Sequence, residues 1–335
     1  MAQVERVLVT GAAGFIGSHL VDALLEAGIA VVGLDDLSMG CRENLVQRAE
    51  QPRFELRVGD VCDPDAVRQA ARGCDHIVHL AALKIPRYGG ALRTLEVNAS
   101  GAGCVLEEAR SSGARVILIS TSDVYGKSGS LPYAESGDLT LGPPTVGRWA
   151  YAASKLYAEH LGFAFREAHG LRVAVLRLFG AYGPRQHRSW WGGPQSVFIE
   201  RLLRGEAVPI HGDGRQTRTF TFVSDTVAGI LAALRCDQAD GEILNIGAAV
   251  ETDILGLARL LHGLLGLSGE PVIEWVPYSS FARGYEDVRR RVPDPARAQK
   301  LLGFCARVPL EEGLRRTIAW QRPLVEAELR EARGR

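Results

Sequence analysis

Hydrophobic residues follow two alternating patterns along the first half of the chain. Short apolar runs with β-branched members, such as residues 7–10, are typical of buried strands, and residues 54–58 are predicted as a further strand. Between them, apolar residues recur at helical spacing, as in residues 18–27, where Gly28 follows as a stop signal. Strands that alternate with helices in this way predict an α/β fold with a doubly wound parallel sheet of the Rossmann type. Ligands of such a sheet bind beyond the carboxyl ends of its strands.

The first predicted strand leads directly into a glycine-rich turn. Gly11 allows the tight turn, Gly14 lets backbone N–H groups approach a pyrophosphate, and Gly17 lets the helix pack on the sheet. The diphosphate of a dinucleotide would lie at the helix N-terminus, where unpaired N–H groups and the helix dipole favour an anion. Asp35 lies where an acid accepts hydrogen bonds from an adenosine ribose and repels a 2′-phosphate. The turn predicts NAD; Arg42 could accommodate NADP, but a surface arginine in a loop is the preferred interpretation of this residue.

The second half of the chain mixes predicted helices, among them residues 197–204 and 254–265, with short strands. We therefore predict an NAD-binding domain over residues 1–180. Residues 181–335 would form mainly a smaller, mixed α/β domain for the substrate, with residues 223–246 returning to the first domain.

Composition excludes several classes of function. The 335 residues carry 39 basic and 39 acidic side chains, so no overall field favours nucleic acid or an anionic membrane. No apolar run approaches membrane-spanning length, and a strand begins within a few residues of the N-terminus, so we expect a cytoplasmic protein. The six cysteines are scattered, without metal-ligand spacing, and neither a metal site nor a disulfide framework is predicted.

Candidate chemistry gathers near the end of the fifth strand. Tyr151 and Lys155 stand four residues apart on a predicted helix, so both project from one face. A nearby ammonium group lowers the pKa of a phenol, so this pair can supply a base for a substrate hydroxyl. Thr121 and Ser122 provide hydroxyls for the reacting oxygen, although these residue types also cap strand ends. Asp123 could be a base, an orienting group or a turn residue.

Two irregular segments could cover a ligand. Residues 127–149 form a long loop rich in Gly, Pro and Ser, and such loops inside a domain are usually functional. Trp190 and Trp191 lie in a glycine-flanked loop. For these tryptophans, packing against the protein body is the preferred interpretation and covering a ligand is the alternative.

As a set, the motifs resemble those of the extended short-chain dehydrogenase/reductases that act on nucleotide sugars, namely 4-epimerases, 4,6-dehydratases and UDP-glucuronate decarboxylases. The resemblance covers nearly the whole chain. Its motifs are Gly11-x-x-Gly14-x-x-Gly17, Gly59-Asp60-Val61, His79-Leu80-Ala81-Ala82-Leu83-Lys84, Val97-Asn98, Thr121-Ser122-Asp123-Val124-Tyr125-Gly126, Tyr151-x-x-x-Lys155, Arg177-Leu178-Phe179, Tyr182-Gly183-Pro184-Arg185-Gln186, His211-Gly212-Asp213-Gly214-x-Gln216-Thr217-Arg218, Val223-Ser224-Asp225, and Arg291-Val292-Pro293-Asp294 before Leu302-Gly303.

The resemblance implies NAD as the cofactor and oxidation of the sugar C4 hydroxyl by Thr121, Tyr151 and Lys155, with Ser122 and Asp123 as further catalytic candidates. The implied cofactor-binding residues are Gly11, Gly14, Phe15, Ile16, Gly17, Asp35, Asp60, Val61, Leu80, Ala81, Ala82, Lys84, Asn98, Tyr151, Lys155 and Phe179. The implied substrate-binding residues are Lys84, Thr121, Arg185, His211, Arg218 and Arg291. Arg218 and one arginine of the run at 289–291 would contact the diphosphate.

Departures from the family pattern bear on the choice of reaction. Ser122 replaces the aspartate with which a 4,6-dehydratase protonates its leaving hydroxyl, so loss of water is disfavoured. Asp123 replaces the glutamate of the decarboxylases and falls about 1.5 Å short, an error that can cost about a hundredfold in rate. Arg148 and Trp149, however, resemble the approach to the catalytic tyrosine in some decarboxylases. Gly180 and His211 replace an asparagine and an aromatic residue that contact the substrate.

The preferred interpretation is a 4-epimerase of a nucleotide sugar, with UDP as the preferred nucleotide, that acts through a transient 4-keto intermediate. The alternatives are a UDP-glucuronate decarboxylase, a 4,6-dehydratase and, as least favoured, a non-catalytic protein that senses NAD. Intact Tyr151, Lys155 and Thr121 argue against the last alternative. By analogy with the family, we expect a homodimer.

Overall fold

The computed structural model describes residues 4–84, 90–281 and 286–333. Within these residues a seven-stranded sheet has the strand order β11-β6-β5-β4-β1-β2-β3, and all of its strand pairs are parallel. Its strands are β1 (Arg6–Thr10), β2 (Ala30–Asp35), β3 (Phe54–Val58), β4 (His76–His79), β5 (Arg115–Thr121), β6 (Val173–Leu178) and β11 (Ile243–Ile246).

Helices cover both faces of this sheet. Along β1, Val7 and Val9 pack in one hydrophobic cluster, whereas Leu8 packs in another on the opposite face. A strand that is buried on both faces needs apolar residues at successive positions, which explains its continuous hydrophobic run. The helices are α1 (Phe15–Glu26), α2 (Pro64–Ala71), α3 (Ala91–Ser112), α4 (Trp149–His169), α5 (Pro194–Leu203), α6 (Val223–Leu234), α7 (Ile254–Leu264), α8 (Ala296–Leu302) and α9 (Leu310–Arg333).

Short strands and helices in the C-terminal half build the wall opposite the main sheet. The strand β8 pairs in parallel with β13, and β9 pairs with both β12 and β14. The helix α5 packs on α7 and α9. The strands outside the main sheet are β7 (Ala181–Tyr182), β8 (Val208–His211), β9 (Thr217–Thr219), β10 (Thr221–Phe222), β12 (Glu251–Asp253), β13 (Ile273–Val276) and β14 (Arg290–Arg291).

The predicted Rossmann-type sheet with a C-terminal domain is confirmed. The division at residue 180, and the return of residues 223–246 to the first domain, stay predictions. In the structure α6 packs on α1, and β11 pairs with β6 at one edge of the main sheet. Among the described residues, no helix is long and apolar enough to cross a membrane.

Candidate active site

A cleft of about 1290 Å³ lies at the carboxyl ends of the main sheet's strands. It is lined from one side by the turn after β1 and the ends of β2, β4, β5 and β6. From the other side it is lined by β9 and by residues of the C-terminal half. The predicted site residues that line it are Gly11, Gly14, Phe15, Ile16, Gly17, Asp35, Asp60, Val61, Leu80, Ala81, Ala82, Lys84, Thr121, Ser122, Asp123, Tyr151, Lys155, Phe179, Arg185, His211, Arg218 and Arg291.

The glycine turn leaves no room for side chains. Gly11 has a positive φ of 72°, and a Cβ there would lie 2.9 Å from the backbone nitrogen of Ala81. A Cβ on Gly17 would lie 2.0 Å from the carbonyl oxygen of Gly11. The helix α1 begins immediately beyond, with Gly14 as its N-cap. This is a cradle of bare backbone at a helix N-terminus, which fits the diphosphate of a dinucleotide.

Asp35 ends β2 and is held by backbone N–H groups. Its two carboxylate oxygens accept hydrogen bonds from Ala13 N at 2.9 Å and Leu37 N at 2.8 Å. Burial nevertheless raises the pKa of Asp35, against the effect of these hydrogen bonds. Because each oxygen keeps a free lone pair, the carboxylate fits the hydroxyls of a ribose at this edge of the cleft.

Asn98 does not line the cleft among the described residues, and its contact with the cofactor stays a prediction. Its side chain is buried, accepts from Leu83 N at 2.8 Å, and donates to Ser154 Oγ at 2.9 Å. Ser154 in turn donates to the carbonyl oxygen of Tyr151. Asn98 thus ties the segment after β4 to the N-terminal part of α4.

Thr121 and Tyr151 place two hydroxyl groups side by side. The Thr121 hydroxyl donates to Asp123 Oδ2 at 3.2 Å, and its proximity favours the ionised form of the Tyr151 phenol, which opposes the rise in the Tyr151 pKa. The expected lowering of the Tyr151 pKa by Lys155 is wrong for this structure. Burial raises that pKa and the negative charge of Asp123 raises it further, which outweighs the opposing effects of Thr121 and Arg291.

Lys155 lies one helical turn after Tyr151 and is buried near the charged residues Glu159 and Arg177. Removal from water lowers the pKa of Lys155 to about 8, although the carboxylate of Glu159 opposes this effect. Glu159 accepts two hydrogen bonds from the guanidinium of Arg177, at 2.7 and 3.0 Å. Ser120 also donates to Glu159. The carboxylate of Glu159, one helical turn away, therefore favours the charged form of Lys155 against the larger effect of burial.

Asp123 is surrounded by cations. Arg291 lies 2.8 Å from its carboxylate and Arg148 lies 3.5 Å away. Burial opposes its ionisation, but Arg291, Arg148 and Lys84 outweigh burial and lower the pKa of Asp123 to about 2. Asp123 therefore stays ionised at neutral pH, so it cannot act there as a proton donor.

Asp287 is a second carboxylate in this group of charged residues, and it shares Arg148 with Asp123. Its Oδ1 accepts from Arg148 at 2.9 Å and from Arg218 at 2.7 Å. Arg218 also donates to two backbone carbonyl oxygens, and Tyr278 donates to Asp287 Oδ2. Arg148 is shared by both carboxylates and joins the start of α4 to the C-terminal half.

The other predicted substrate residues lie at several places in the cleft. Lys84 donates to the carbonyl oxygen of Trp191 at 3.3 Å, and Arg185 pairs with Asp22. The ring of His211 stacks on Trp190 with centroids 4.3 Å apart. Trp190 therefore packs against the protein, as preferred from the sequence, and both tryptophans also line the cleft.

Within the run at 289–291, Arg291 lines the cleft and reaches Asp123, whereas Arg289 pairs with Asp213 and Arg290 with Glu251. Sequence reasoning assigned no site role to Arg148 or Asp287. Arg148 had a usable signal, since it lies three residues before Tyr151. No spacing pattern in the sequence connects Asp287 with its partner Arg148, because the two residues lie far apart along the chain.

The cleft, its glycine turn and its paired tyrosine and lysine define a dinucleotide-dependent enzyme of the short-chain dehydrogenase/reductase class. The model of the NAD dependent epimerase/dehydratase family matches residues 7–247. The chain belongs to this family, which confirms both the resemblance and the prediction of NAD as the cofactor.

Individual relatives are similar over most of the chain. UDP-glucuronic acid decarboxylase 1 of Xenopus tropicalis is 36% identical over 96% of this chain and 73% of its own. UDP-N-acetyl-alpha-D-glucosaminuronate decarboxylase of Bacillus cytotoxicus is 33% identical, covering 96% and 98%. The solved structure of UDP-glucuronic acid 4-epimerase from Bacillus cereus, with UDP-glucuronic acid and NAD, is 29% identical. It has a TM-score of 0.85 and covers 95% and 99%.

Proposed function

We propose that this enzyme oxidises C4 of a UDP-linked uronic acid and then releases its carboxyl group as CO₂. The observation that carries the proposal is the group of cations, Lys84, Arg148 and Arg291, around Asp123 beside the Tyr151 phenol. The names of the three relatives support the substrate, since each refers to a UDP-linked uronic acid. Two of those relatives are decarboxylases, which moves this reaction ahead of the 4-epimerase that the sequence favoured.

Charge supports a substrate with a carboxylate. Within the described part of the cleft, the group around Asp123 and Asp287 contains four cations, Lys84, Arg148, Arg218 and Arg291, so this group carries two more positive than negative charges. The C5 substituent of a hexose lies one carbon from the reacting C4. The proposal orients the sugar so that, with O4 at Tyr151 and Thr121, this substituent lies next to Asp123 and its arginines. A carboxylate is stabilised there by guanidinium groups, whereas the CH₂OH group of a neutral hexose is not.

Each residue near the reacting C4 has its own role in the oxidation step. NAD, when bound, supplies the nicotinamide that takes two electrons from C4 and later returns them, and its positive charge lowers the pKa of a neighbouring phenol. Tyr151 takes the proton from O4, while Thr121 donates a hydrogen bond that orients this oxygen. Lys155 projects from the same face of α4 and would hold the bound NAD, as the family resemblance implies.

The resulting 4-keto uronic acid is a β-keto acid. When the bond from C5 to the carboxyl carbon breaks, CO₂ leaves and the electron pair moves onto O4 as an enolate. The hydroxyls of Tyr151 and Thr121 stabilise this negative charge. Tyr151 is a protonated donor at this step, because it has taken the proton from O4. C5 then takes up a proton from water.

The short side chain of Asp123 does not weigh against decarboxylation. It lies between Arg291 and Arg148 and stays ionised, so its role in the proposal is to fix the two guanidinium groups. That role requires contact with the arginines, which Asp123 makes, and no reach to the substrate.

The test is incubation of the NAD-loaded enzyme with UDP-glucuronate labelled at C6, followed by trapping of CO₂ and mass analysis of the nucleotide sugar. We expect labelled CO₂ and a UDP-pentose, and neither product with Tyr151→Phe. UDP-glucose is the parallel substrate without a carboxylate. An isomer of unchanged mass, with no CO₂, would replace the proposal by the second candidate, a UDP-glucuronate 4-epimerase. The observation that favours this candidate is the fold match to the Bacillus cereus epimerase.

A further inference from the structure

Gln216, a residue in the wall of the cleft, carries a buried hydrogen-bond acceptor. The residue is 4% exposed and lines the cleft where β9 begins. Its Nε2 donates to the carbonyl oxygen of His211 at 2.9 Å. Its Oε1 has no hydrogen-bond partner among the residues that the structure describes.

The orientation of this amide is fixed by its neighbour. A backbone carbonyl oxygen can only accept, so the amide nitrogen of Gln216 must face His211. The oxygen is therefore the atom left for a ligand. An unpartnered buried acceptor costs about 1–3 kcal/mol, which a donor on the ligand would recover.

Gln321 is a second buried glutamine whose side-chain oxygen lacks a partner among the described residues, but it lies away from the cleft. It is fully buried, its Nε2 donates to the carbonyl oxygen of Ser196, and its Oε1 also lacks a partner within the described ranges. Gln321 lies within α9 and does not line the cleft. Of these two glutamines, only Gln216 can present its oxygen to a bound substrate.

The surroundings of Gln216 suit a flat heterocycle. The carbonyl that fixes its amide belongs to His211, whose ring stacks on Trp190 and meets Phe281 edge-on at 4.8 Å. Aromatic faces favour stacking with a nucleobase. This wall belongs to the C-terminal half, whereas the fit for the cofactor's ribose lies at Asp35, beside the glycine turn.

We propose that Gln216 Oε1 accepts the imide N–H of the substrate's pyrimidine base and thereby selects uracil over cytosine. Uracil carries a hydrogen on N3, whereas cytosine presents a lone pair that would face the Gln216 oxygen. The inference rests on the proposed nucleotide-sugar function and assigns to one residue the choice of base. A ribose hydroxyl is the other donor on the same nucleoside, and the experiment separates the two.

The test measures binding of UDP, CDP and 2′-deoxy-UDP to the NAD-loaded enzyme by calorimetry, for the wild type and Gln216→Met. Methionine keeps the length of the side chain but cannot accept this bond. We expect UDP affinity to fall about tenfold while CDP affinity stays the same or rises. The ratio of the two affinities is the readout, because a shift of His211 would weaken both nucleotides alike.

Gln321→Met is the matched control and should leave all three affinities unchanged. A UDP to CDP ratio that is equal in wild type and Gln216→Met would overturn the inference and leave the proposed function standing. If the variant loses only its discrimination between UDP and 2′-deoxy-UDP, the acceptor serves the ribose and the assignment to the base is wrong. Failure of the wild type to bind any of the nucleotides would overturn the proposed function itself.

Discussion

Replacing Glu159 by glutamine should damage stability and catalysis through two separable effects. Glu159 and Arg177 are 3% and 2% exposed and share two hydrogen bonds. Removal of one partner of such a pair leaves a buried charge without compensation and costs about 3–5 kcal/mol. Because the amide oxygen of the new side chain could still accept one bond, we expect the lower end, about 3 kcal/mol, and a fall in Tm of roughly 5–10 °C.

The second effect concerns Lys155. The carboxylate of Glu159 raises the pKa of this ammonium group, which burial has lowered to about 8. Without the carboxylate the pKa falls further. If the charged form supports catalysis, the activity of the wild type declines as the pH rises through about 8. In Glu159→Gln the same decline should come at a lower pH.

A double variant separates the two effects. Glu159→Leu with Arg177→Met removes both charges and fills the space with apolar groups, an exchange that is often neutral for stability. Urea unfolding should therefore show recovery of most of the lost stability. The pH profile of kcat should remain displaced, since Lys155 still lacks its carboxylate neighbour. A loss below about 1 kcal/mol in the single variant, or an unmoved pH profile in both, would refute this reasoning.

Three further predictions concern the cleft. In Asp123→Asn, the free energy of unfolding measured with urea should be about 2 kcal/mol lower than in the wild type at neutral pH. This difference should shrink as the pH falls from about 4 towards 2, because the wild-type carboxylate stabilises the protein only while it is ionised. Gly17→Ala should weaken NAD binding more than about tenfold in a calorimetric titration, since its Cβ would meet the Gly11 carbonyl, whereas Gly103→Ala, with open space around it, should not. Arg148→Ala should lower kcat/KM for UDP-glucuronate by about tenfold or more, with a smaller effect on UDP affinity; an equal loss in both would contradict a role near the sugar.

The main sheet could be predicted because its information is local. Residues 54–58 form β3 as expected, and the alternation of strands with helices predicted the doubly wound parallel sheet. The catalytic helix begins at Trp149, two residues before the predicted start at Tyr151, since helix ends are weakly encoded. The long helix α9 was not predicted individually, and it contains Pro323, which normally argues against a helix interior.

Long-range electrostatics could not be predicted. Asp287 meets Arg148 and Arg218 through folding alone, and no spacing rule joins these positions. The pKa of Tyr151 depends on its burial and on Asp123, neither of which a Tyr-x-x-x-Lys pattern reveals. Motifs thus indicated which residues meet in the cleft, but the balance of charges there emerges only in three dimensions.

The most direct test of the central claim is the absorbance of bound nicotinamide after rapid mixing of the NAD-loaded enzyme with UDP-glucuronate. The account predicts a transient rise of the reduced form, because C4 must be oxidised before CO₂ can leave, and no rise in Tyr151→Phe. Release of CO₂ with no reduced nicotinamide at any time, or an equal rise in Tyr151→Phe, would contradict the account.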